Sequence, residues 1–285
     1  MDRATLEKPS LVDGGVQRLT YPLQEFPFVQ EVTRLLVEKN VVACEVPLEE
    51  LHKYVPFEDQ MVNAHHMNNV VDHFYETSSF FRELYFNLIR YIAKTHFQFD
   101  FIFQEIPNFR FHFPVSFGEA YRNEDGVFLG QHSDTMLGHS LEEINFWLPL
   151  TACEASSALH VSDLSSGIDV LSRVFEDTGW DSDIYHTEGR EFFHRRLFSD
   201  KAFQEIVVRS MAPIDMKVGE FIAFDTRCLH GPEENKEGKT RISLDFRIVP
   251  LSRYENLTKH YGSQGKSKRK FIRGDVFYKT TAQEL

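Results

Sequence analysis

The most regular alternation of polar and hydrophobic residues lies between Lys239 and Val249, towards the C-terminal end of the chain. The polar positions are Arg241, Ser243, Asp245 and Arg247, and the apolar positions between them are Ile242, Leu244, Phe246 and Ile248. A period of two predicts a β-strand with one polar and one apolar face. Such a strand either lies at the edge of a sheet against solvent or lines a polar cavity.

Shorter apolar patterns predict the rest of the framework. We expect strands over residues 40–46, 99–105, 108–114 and 143–150, with further β structure over residues 151–161. Helical spacing of apolar residues predicts helices over residues 28–38 and 69–96, and a short helix after Pro47. Residues 1–20 are expected to form a loose lead-in. These patterns indicate a mainly β fold with flanking helices, of the α+β class.

Length and composition restrict the class of protein. The 285 residues allow one large domain or two small ones, and a hydrophobic content of 42% is enough for a core. No apolar run approaches the roughly 18–20 residues of a membrane span, and the N-terminus lacks the core of a signal peptide. The formal net charge of -12 argues against nucleic-acid and anionic-membrane partners and is compatible with a cationic substrate. Three widely spaced cysteines argue against a disulfide framework and predict a reducing, cytoplasmic location.

A candidate metal site begins at His132-Ser133-Asp134. In an extended strand, residues two apart point to the same side, so the imidazole and the carboxylate would project together. His230, far downstream, would supply a third ligand. Two histidines and one carboxylate form the facial ligand set of non-haem Fe(II) oxygenases. A lone His-x-Asp can arise by chance in a chain with 13 histidines, so the downstream histidine and strand pattern matter to this interpretation.

Other polar residues could reach the same site. Arg241 and Ser243 are neighbours on the polar face of the predicted C-terminal strand, where a guanidinium and a hydroxyl suit one carboxylate of a small diacid. Arg110 and His112 share one face of the strand predicted over residues 108–114. They either reach into the fold or are satisfied polar residues on an outer face.

Four stretches of the sequence, residues 110–114, 132–139, 143–151 and 240–247, resemble motifs of the Fe(II)/2-oxoglutarate-dependent dioxygenases. Within this superfamily, the four stretches taken together are similar to the streptomycin-biosynthesis StrG-like, phytanoyl-CoA-hydroxylase-like branch. The resemblance covers roughly residues 108–250, with a divergent middle. It implies a double-stranded β-helix, which is a jelly-roll barrel of the cupin type. It also implies Fe(II) as the metal, with 2-oxoglutarate and dioxygen as cosubstrates.

The resemblance further implies roles for individual residues. These residues are His132, Asp134 and His230 for the metal, Arg241, Ser243, Asn145 and the rival anchor Arg247 for 2-oxoglutarate, and Arg110, His112, His139 and Trp147 for the substrate. The distal carboxylate of 2-oxoglutarate would pair with Arg241 and Ser243. The carboxylate at position 134 argues against a halogenase, because the halogenases of the family lack this ligand.

We expect a single domain over residues 1–285. Residues 1–98 would form a helical support, residues 99–161 and 205–250 the barrel core, and residues 251–285 a basic tail. The tail is expected to fold back on the barrel or on the partner in a homodimer.

Residues 162–204 are loop-like, with short helical pieces and few periodic apolar positions. An insertion of this length predicts a lid over the substrate, and a decorative insertion is the alternative. Trp180 would serve as an internal probe of lid closure. The polar residues of the insertion that could contact a ligand are Arg190, His194, Arg195 and Arg196.

The motifs and the resemblance together predict an oxygenase that oxidises an unactivated C–H bond, with hydroxylation as the expected outcome. The expected substrate is a small polar metabolite, such as an amino acid or an amino-sugar-type natural-product intermediate. The alternative is a cupin-type metal-dependent isomerase or a non-redox metal-binding module. Such a protein would keep the three metal ligands but would not need Arg241 and Ser243.

Overall fold

A computed structural model describes residues 3–61, 68–74, 78–114, 130–137, 139–178, 193, 195–197, 199–261 and 278–285 of the chain. Within these ranges, two antiparallel sheets form the centre of the fold, and helices pack against them. Every helix in these ranges is too short or too polar to span a lipid bilayer.

The strands are numbered in chain order. They are β1 (Val16–Thr20), β2 (Phe101–Phe103), β3 (Asn108–His112), β4 (Ile144–Pro149), β5 (Leu159–Ser162), β6 (Met211–Ile214), β7 (Glu220–Asp225), β8 (His230–Pro232) and β9 (Arg241–Pro250). The larger sheet has the order β1-β7-β4-β9-β2, and β3 also pairs with β9. Because β9 pairs with β4 on one side and with β2 and β3 on the other, it is an internal strand. Its polar face therefore belongs to a cavity and not to a solvent-exposed sheet edge.

The smaller sheet has the order β6-β5-β8. An isolated antiparallel bridge joins His230, the first residue of β8, to His132. Among the described residues, the strands do not close into a barrel. The α+β class with antiparallel sheets is confirmed, whereas the jelly-roll barrel stays a prediction.

Helices precede, interrupt and follow the strand-rich part of the sequence. Within the described ranges, the α-helices are Arg3–Leu6, Phe28–Glu38, Phe57–Gln60, Asn69–Asp72, Ser79–Thr95, Leu164–Thr178, Lys201–Ser210 and Leu251–Tyr261. The 3-10 turns are Asp13–Gly15, Leu48–Lys53, Asp134–Leu137 and Ala155–Ser157. The long helices at residues 28–38 and 79–95 contribute their apolar faces to the main hydrophobic core.

The apolar face of β9 lies in this core. Ile242, Leu244, Phe246 and Ile248 are each at most 1% exposed. The ring of Phe246 stacks on that of Phe146 in β4, with centroids 4.9 Å apart. Because neighbouring side chains of a strand point to opposite faces, burial of this face fixes the direction of the polar face.

The single helix predicted over residues 69–96 is wrong, because two helices cover this region. A short helix, Asn69–Asp72, precedes the separate helix Ser79–Thr95. The hydroxyl oxygen of Ser78 accepts a hydrogen bond from the backbone N–H of Phe81 at 3.0 Å and so caps the second helix. Such a cap satisfies a backbone donor that has no partner within the helix. The apolar spacing continues across the break and therefore does not reveal it.

Two predictions near the N-terminus are also wrong. Residues 40–46, predicted as a strand, form a turn and bends, with Asn40 at a φ of 58°. Residues 16–20, placed in the loose lead-in, form β1 and pair along their whole length with β7. Strand formation depends on the neighbouring strand more than on local sequence, so β1 has little signal of its own.

The segment predicted to be a loop-rich lid is helical over much of its described part. The helix Leu164–Thr178 has 15 residues, and the helix Lys201–Ser210 follows further along the chain. Val170, Leu171, Val174 and Phe175 are fully buried in a second hydrophobic cluster. These apolar residues do recur at helical spacing, so the expectation of few periodic apolar positions is wrong here.

The candidate ligand contacts of this segment are only partly described. Trp180, Arg190 and His194 lie outside the described residues. Arg195 is exposed. Arg196 pairs with carboxylates of its own segment, at Asp177 and Asp200.

The C-terminal segment returns to the larger sheet. The helix Leu251–Tyr261 packs on β2 and β9, and residues 278–285 run beside β2. The backbone N–H groups of Tyr278 and Ala282 donate hydrogen bonds of 2.8 and 2.9 Å to carbonyls of β2. The basic cluster at residues 266–273 lies outside the described residues.

Candidate metal centre and adjoining cavity

Three potential metal ligands converge at the start of β8. The carboxylate oxygen Oδ1 of Asp134 lies 3.6 Å from Nε2 of His132 and 3.7 Å from Nε2 of His230. The ligand atoms of the three residues all lie within 4.8 Å of one another. Atoms that share one metal at bonds of about 2.1 Å stand roughly 3–3.5 Å apart. The structure therefore brings the three predicted ligands to within small shifts of a shared ion.

A backbone bridge sets the two histidines side by side. The N–H of His132 donates to the carbonyl of His230 at 2.9 Å, and the N–H of His230 donates back at 2.7 Å. Residues that exchange both bonds stand directly opposite each other, and the two imidazole centroids are 4.5 Å apart. Gly231 permits this approach, because a Cβ there would lie 2.7 Å from the carbonyl oxygen of Gly130.

Backbone carbonyls determine which nitrogen of each neutral imidazole carries the proton. Nδ1 of His132 lies 3.1 Å from the carbonyl oxygen of Gly130, and Nδ1 of His230 lies 3.1 Å from that of Cys228. A carbonyl oxygen only accepts hydrogen bonds, so the neutral form of each ring has its proton on Nδ1 and presents an unprotonated Nε2. Hydrogen bonding from the far nitrogen commonly fixes the tautomer and orientation of metal-ligating histidines.

Asp134 begins the 3-10 turn Asp134–Leu137 and is not part of an extended strand, which corrects the sequence-based prediction. The turn is fastened to another part of the chain. The hydroxyls of Ser133 and Thr135 donate to the carbonyl of Thr226 at 2.8 and 3.2 Å. The convergence of His132 and Asp134 therefore results from tertiary hydrogen bonds and not from strand alternation.

The two oxygens of Asp134 have different surroundings. Nε of Arg247 donates to Oδ2 at 2.8 Å, and Nη2 forms an ion-pair contact of 2.6 Å with the same oxygen. Oδ1 has no hydrogen-bond partner among the described residues, and the whole residue is 0% exposed. Burial alone would raise the pKa of Asp134, but the positive charge of Arg247, with smaller contributions from nearby histidines, holds it well below its usual value.

This donor set fits a metal cation. Burial, followed by the proximity of His132, lowers the pKa of His230 to about 4, so the ring is neutral near pH 7 and can act as a ligand. With neutral imidazoles, Nε2 of His132, Nε2 of His230 and Oδ1 of Asp134 would all face a common space as acceptors. A buried carboxylate oxygen without a partner is costly, and a cation would satisfy it. Two histidines and one carboxylate suit Fe(II).

A cavity of about 240 Å³ adjoins the triad. Its lining residues come from several strands and loops, and include both histidines of the triad. The lining comprises Asn68, Val71, Arg110, Phe111, His112, Gly130, His132, Leu137, Asn145, Phe146, Trp147, Leu159, Phe224, His230, Gly231, Pro232, Arg241, Asp245, Phe246 and Arg247. Most of the site residues predicted from the sequence therefore surround one cavity.

Arg241 lines the cavity, and the buried hydroxyl of Ser243 lies directly behind it. The hydroxyl oxygen of Ser243 accepts from Nη1 of Arg241 at 2.8 Å and from Nε1 of Trp147 at 3.0 Å. Since a hydroxyl accepts at two lone pairs, its own proton remains available to a third group. Nε of Arg241 is buried and has no hydrogen-bond partner in the described part of the chain. Two adjacent donors of this kind suit a carboxylate.

His112 lies beside this pair. Its Nδ1 is 3.0 Å from Nη2 of Arg241, and because a guanidinium only donates, Nδ1 is the acceptor. Burial, together with the charge of Arg241, lowers the pKa of His112 well below its usual value. Burial also lowers the pKa of Arg241 to about 10, so the guanidinium is still charged near pH 7. The structure thus places His112 next to the predicted 2-oxoglutarate anchor.

Arg110 lines the cavity and pairs with Asp245. Nε of Arg110 donates to Oδ1 of Asp245 at 2.8 Å, and the amide of Asn108 donates to Oδ2 at 2.9 Å. Burial opposes ionisation of Asp245, but the charge of Arg110 lowers its pKa. The sequence analysis gave Asp245 no role. Its place on the polar face of β9, between Ser243 and Arg247, is the signal that could have identified it.

Asn145 lies on β4 opposite Arg247. It is 3% exposed, and neither its amide nitrogen nor its oxygen has a hydrogen-bond partner in the described ranges. A buried polar group left unsatisfied costs roughly 1–3 kcal/mol. A ligand in the cavity would remove this cost, in line with the prediction that Asn145 contacts the cosubstrate.

His139 is not among the residues that line the cavity, which does not support the predicted substrate contact. Its Nδ1 lies 2.8 Å from Oε2 of Glu143, and both side chains are buried. Glu143 also accepts the backbone N–H of Ser140 at 2.7 Å. The backbone N–H of His139 donates to the carbonyl of Asp134 at 3.1 Å. His139 therefore supports the turn that carries Asp134, and its spacing from Glu143 is the signal that the sequence analysis missed.

Part of the chain is similar in sequence to a protein of antibiotic biosynthesis. The streptomycin biosynthesis protein StrG of Streptomyces griseus is 24% identical over 155 residues, which are 53% of this chain. The match spans about half of the relative, 48% of its length. No family model matches the chain. The resemblance to StrG predicted from the motifs is confirmed as a similarity in sequence.

Solved structures give distant similarities. SnoK, a non-haem α-ketoglutarate-dependent carbocyclase from nogalamycin biosynthesis, matches with a TM-score of 0.48 and 11% identity, covering 97% of this chain and 95% of SnoK. EctD from S. alaskensis with bound Fe matches with a TM-score of 0.45 and 13% identity, covering 88% of this chain and 76% of EctD. AviO1 from Streptomyces viridochromogenes Tue57 matches with a TM-score of 0.42 and 13% identity, covering 88% of this chain and 96% of AviO1.

Proposed function

We propose that this chain is a non-haem Fe(II)/2-oxoglutarate-dependent dioxygenase. The observation that carries the proposal is the convergence of Nε2 of His132, Oδ1 of Asp134 and Nε2 of His230 beside a cavity. Three ligands on one face of a metal leave the opposite face for other molecules. The sequence similarity to StrG and the shared motifs support the same class of protein.

The protein would hold and orient the groups that react. Fe(II) supplies, when bound, the activation of dioxygen that amino-acid side chains do not provide. His132 and His230 present their Nε2 atoms because their Nδ1 protons are held by backbone carbonyls. Asp134 supplies one negative charge from a position closed to solvent. The apolar side chains around the cavity would keep water away from the reacting groups.

The cosubstrate would bind along the polar face of β9. We place its distal carboxylate against Nε of Arg241 and the hydroxyl of Ser243, which offer donors without partners of their own. Trp147 and His112 hold these two groups in position through hydrogen bonds of 3.0 Å. Arg247 is already paired with Asp134, so Arg241 is the better anchor.

For the complete fold, we propose a closed arrangement of the two sheets around the site. The smaller sheet is linked to the metal segment through the bridge between His132 and His230, and the polar face of the larger sheet lines the same cavity. This arrangement supports a double-stranded β-helix of the cupin type around the site.

For the substrate, we propose a small polar metabolite, such as an amino acid or an amino-sugar-type natural-product intermediate, that is hydroxylated at an unactivated C–H bond. The name of StrG, a streptomycin biosynthesis protein, and the ion pair of Arg110 and Asp245 in the cavity wall support a polar substrate. The net charge of -12 supports the proposal that nucleic acids and anionic membranes are not partners. We retain a cytoplasmic location and a homodimer as proposals.

The test is 2-oxoglutarate turnover in the absence of substrate. Protein loaded anaerobically with Fe(II) is given 2-oxoglutarate and air, and succinate is measured together with bound iron. We expect one iron per chain and slow succinate formation in the wild type. Asp134→Ala should lose both, because the carboxylate supplies a bond and a charge to the metal. Circular dichroism checks that the variant folds.

Asp169→Ala, which removes an exposed carboxylate from the helix Leu164–Thr178, is the matched control and should retain iron and turnover. Full iron loading and turnover in Asp134→Ala would contradict the proposed ligand set. Tight iron binding without any succinate would favour the isomerase or the non-redox binding module instead.

A further inference from the structure

Arg247 makes contacts that the proposed function does not use. Its Nε donates to Oδ2 of Asp134 at 2.8 Å, and its Nη2 lies 2.6 Å from the same oxygen as an ion-pair contact. Its side chain is 17% exposed, that of Asp134 is 0% exposed, and Arg247 lines the cavity. The sequence analysis treated Arg247 as a rival anchor for 2-oxoglutarate. The structure shows that its guanidinium is engaged with a metal ligand.

A charged hydrogen bond and an ion-pair contact on one oxygen fix the orientation of the Asp134 carboxylate. Rotation of Asp134 about its side-chain bonds would break both contacts, and charge-assisted bonds are roughly twice as strong as neutral ones. Oδ1 is left as the free oxygen, and it is the atom 3.6–3.7 Å from the two Nε2 atoms. Because Arg247 holds Oδ2, the free Oδ1 is directed towards the proposed metal position.

Arg247 is itself held firmly. It lies within the internal strand β9, opposite Asn145 of β4, and its carbonyl accepts the backbone N–H of Gln104 at 2.9 Å. A residue fixed on both sides by neighbouring strands can position a partner precisely, whereas a loop residue cannot. The described chain gives the guanidinium no other hydrogen-bond acceptor than Asp134.

We propose that Arg247 is a positioning residue that makes Asp134 a one-oxygen ligand. The proposal rests on the metal site of the proposed function and adds a role that is separate from cosubstrate binding. A carboxylate that bound through both oxygens would occupy one more position on the metal. By holding Oδ2, Arg247 would keep that position free for molecules that enter from the cavity.

The test uses Co(II) as a spectroscopic probe, without 2-oxoglutarate, so that no turnover is needed. Affinity is measured by competition with a chelator, and the visible absorption spectrum reports the coordination of the bound ion. We compare the wild type with Arg247→Met, Arg247→Lys and Asp134→Ala. Arg110→Met is the matched control, because it removes a positive charge from the same cavity wall but not from Asp134.

Loss of positioning and loss of charge have opposite effects on cation binding. Removal of a nearby positive charge by itself would strengthen Co(II) binding, as is expected for Arg110→Met. Loss of the hydrogen bond and the ion-pair contact in Arg247→Met should weaken Co(II) binding roughly 10–100-fold and change the spectrum. Arg247→Lys keeps the charge without the planar guanidinium, so it should recover only part of the affinity and retain an altered spectrum.

The outcomes separate this proposal from the proposed function. Co(II) binding that survives Asp134→Ala unchanged would overturn the metal site itself. Loss of binding in Asp134→Ala, combined with wild-type affinity and spectrum in Arg247→Met, would overturn only the role of Arg247. If Arg247→Met does not fold, Arg247→Lys decides, and a lysine variant indistinguishable from the wild type would contradict the proposal.

Discussion

At the scale of single residues, the direction of each hydrogen bond decides what the site can bind. In their neutral form, the two histidines donate hydrogen bonds from Nδ1 to backbone carbonyls, which leaves Nε2 as a potential metal ligand. Ser243 accepts from Arg241 and Trp147 and is left with a proton to donate. One end of the cavity thus offers acceptors that suit a cation, and the region of Arg241 and Ser243 offers donors that suit an anion. This division suits a metal and an acidic cosubstrate in the same cavity.

A prediction at this scale concerns Arg241→Ala. Each charge-assisted hydrogen bond lost from the cosubstrate is worth about 1.5–3 kcal/mol, so the 2-oxoglutarate concentration for half-maximal succinate formation should rise roughly tenfold or more. The iron requirement should stay near that of the wild type. Arg247→Met is the counterpart and should change metal affinity far more than cosubstrate affinity. If the two variants exchange these effects, Arg247 is the anchor and Arg241 is not.

At the scale of elements, the helix Leu164–Thr178 braces the metal-binding region. Gly167 lies against the backbone of Arg227 and Cys228, where a Cβ would overlap the carbonyl oxygen of Arg227. The buried face of the helix packs with Met136 and Leu229, which lie close in sequence to Asp134 and His230. The helix is therefore part of the support for the candidate metal ligands, and the lid stays a prediction.

The prediction for this helix is that Gly167→Ala pushes it away from the backbone of Arg227 and Cys228. Overpacking of this kind costs typically 1–3 kcal/mol, so the free energy of unfolding should fall by about that amount. Hydrogen exchange should show slow exchange at residues 170–175 in the ligand-free wild type and faster exchange in the variant. Ser165→Ala, at an exposed position of the same helix, should change stability by less than about 0.5 kcal/mol. Rapid exchange in the ligand-free wild type would instead restore the lid interpretation for this helix.

At the scale of the whole molecule, Arg227 connects the N-terminal residues to Asp225 at the end of β7. It is 1% exposed and forms a two-bond pair with Asp225, at 2.8 and 2.6 Å. Its Nη1 also donates to the carbonyls of Leu6 and Lys8, each at 2.6 Å. One buried guanidinium thus links residues more than 200 positions apart in sequence. Loss of this link should affect the stability of the entire fold.

We predict that Arg227→Met lowers the free energy of unfolding by about 3–5 kcal/mol, because it leaves the buried carboxylate of Asp225 without its partner. Urea denaturation followed by circular dichroism measures the change. Adding Asp225→Asn should recover part of the loss, since the unpaired charge is then removed. Arg18→Met breaks a half-exposed pair with Glu220 and, as a control, should cost about 1 kcal/mol or less. An equal effect of the two arginine variants would show that burial of the Arg227 pair has no special importance.

Some features of this protein follow from the sequence alone. The strict alternation of β9 determines a strand with opposite polar and apolar faces, because a period of two leaves few other conformations. The ligand types of His132, Asp134 and His230, together with the motifs around them, select these residues as a candidate metal group. The amphipathic helix at residues 28–38 is also found correctly, with the same bounds as the prediction. The strand and helix signals are local or repeat along a single segment, and the ligand group rests on residue types and family resemblance.

The tertiary structure alone decides which partner each polar group receives. The polar face of β9 gave no sign that Arg247 would bind Asp134 while Arg241 bound Ser243 and His112. Such pairs join segments more than 100 residues apart in the case of Arg247, and a local pattern contains no distances between segments. β1 and the helix break before Ser79 likewise depend on a neighbouring strand and on a capping hydroxyl. The sequence therefore selects the candidate ligands, and packing assigns their roles, because hydrogen bonds form between groups that folding brings together.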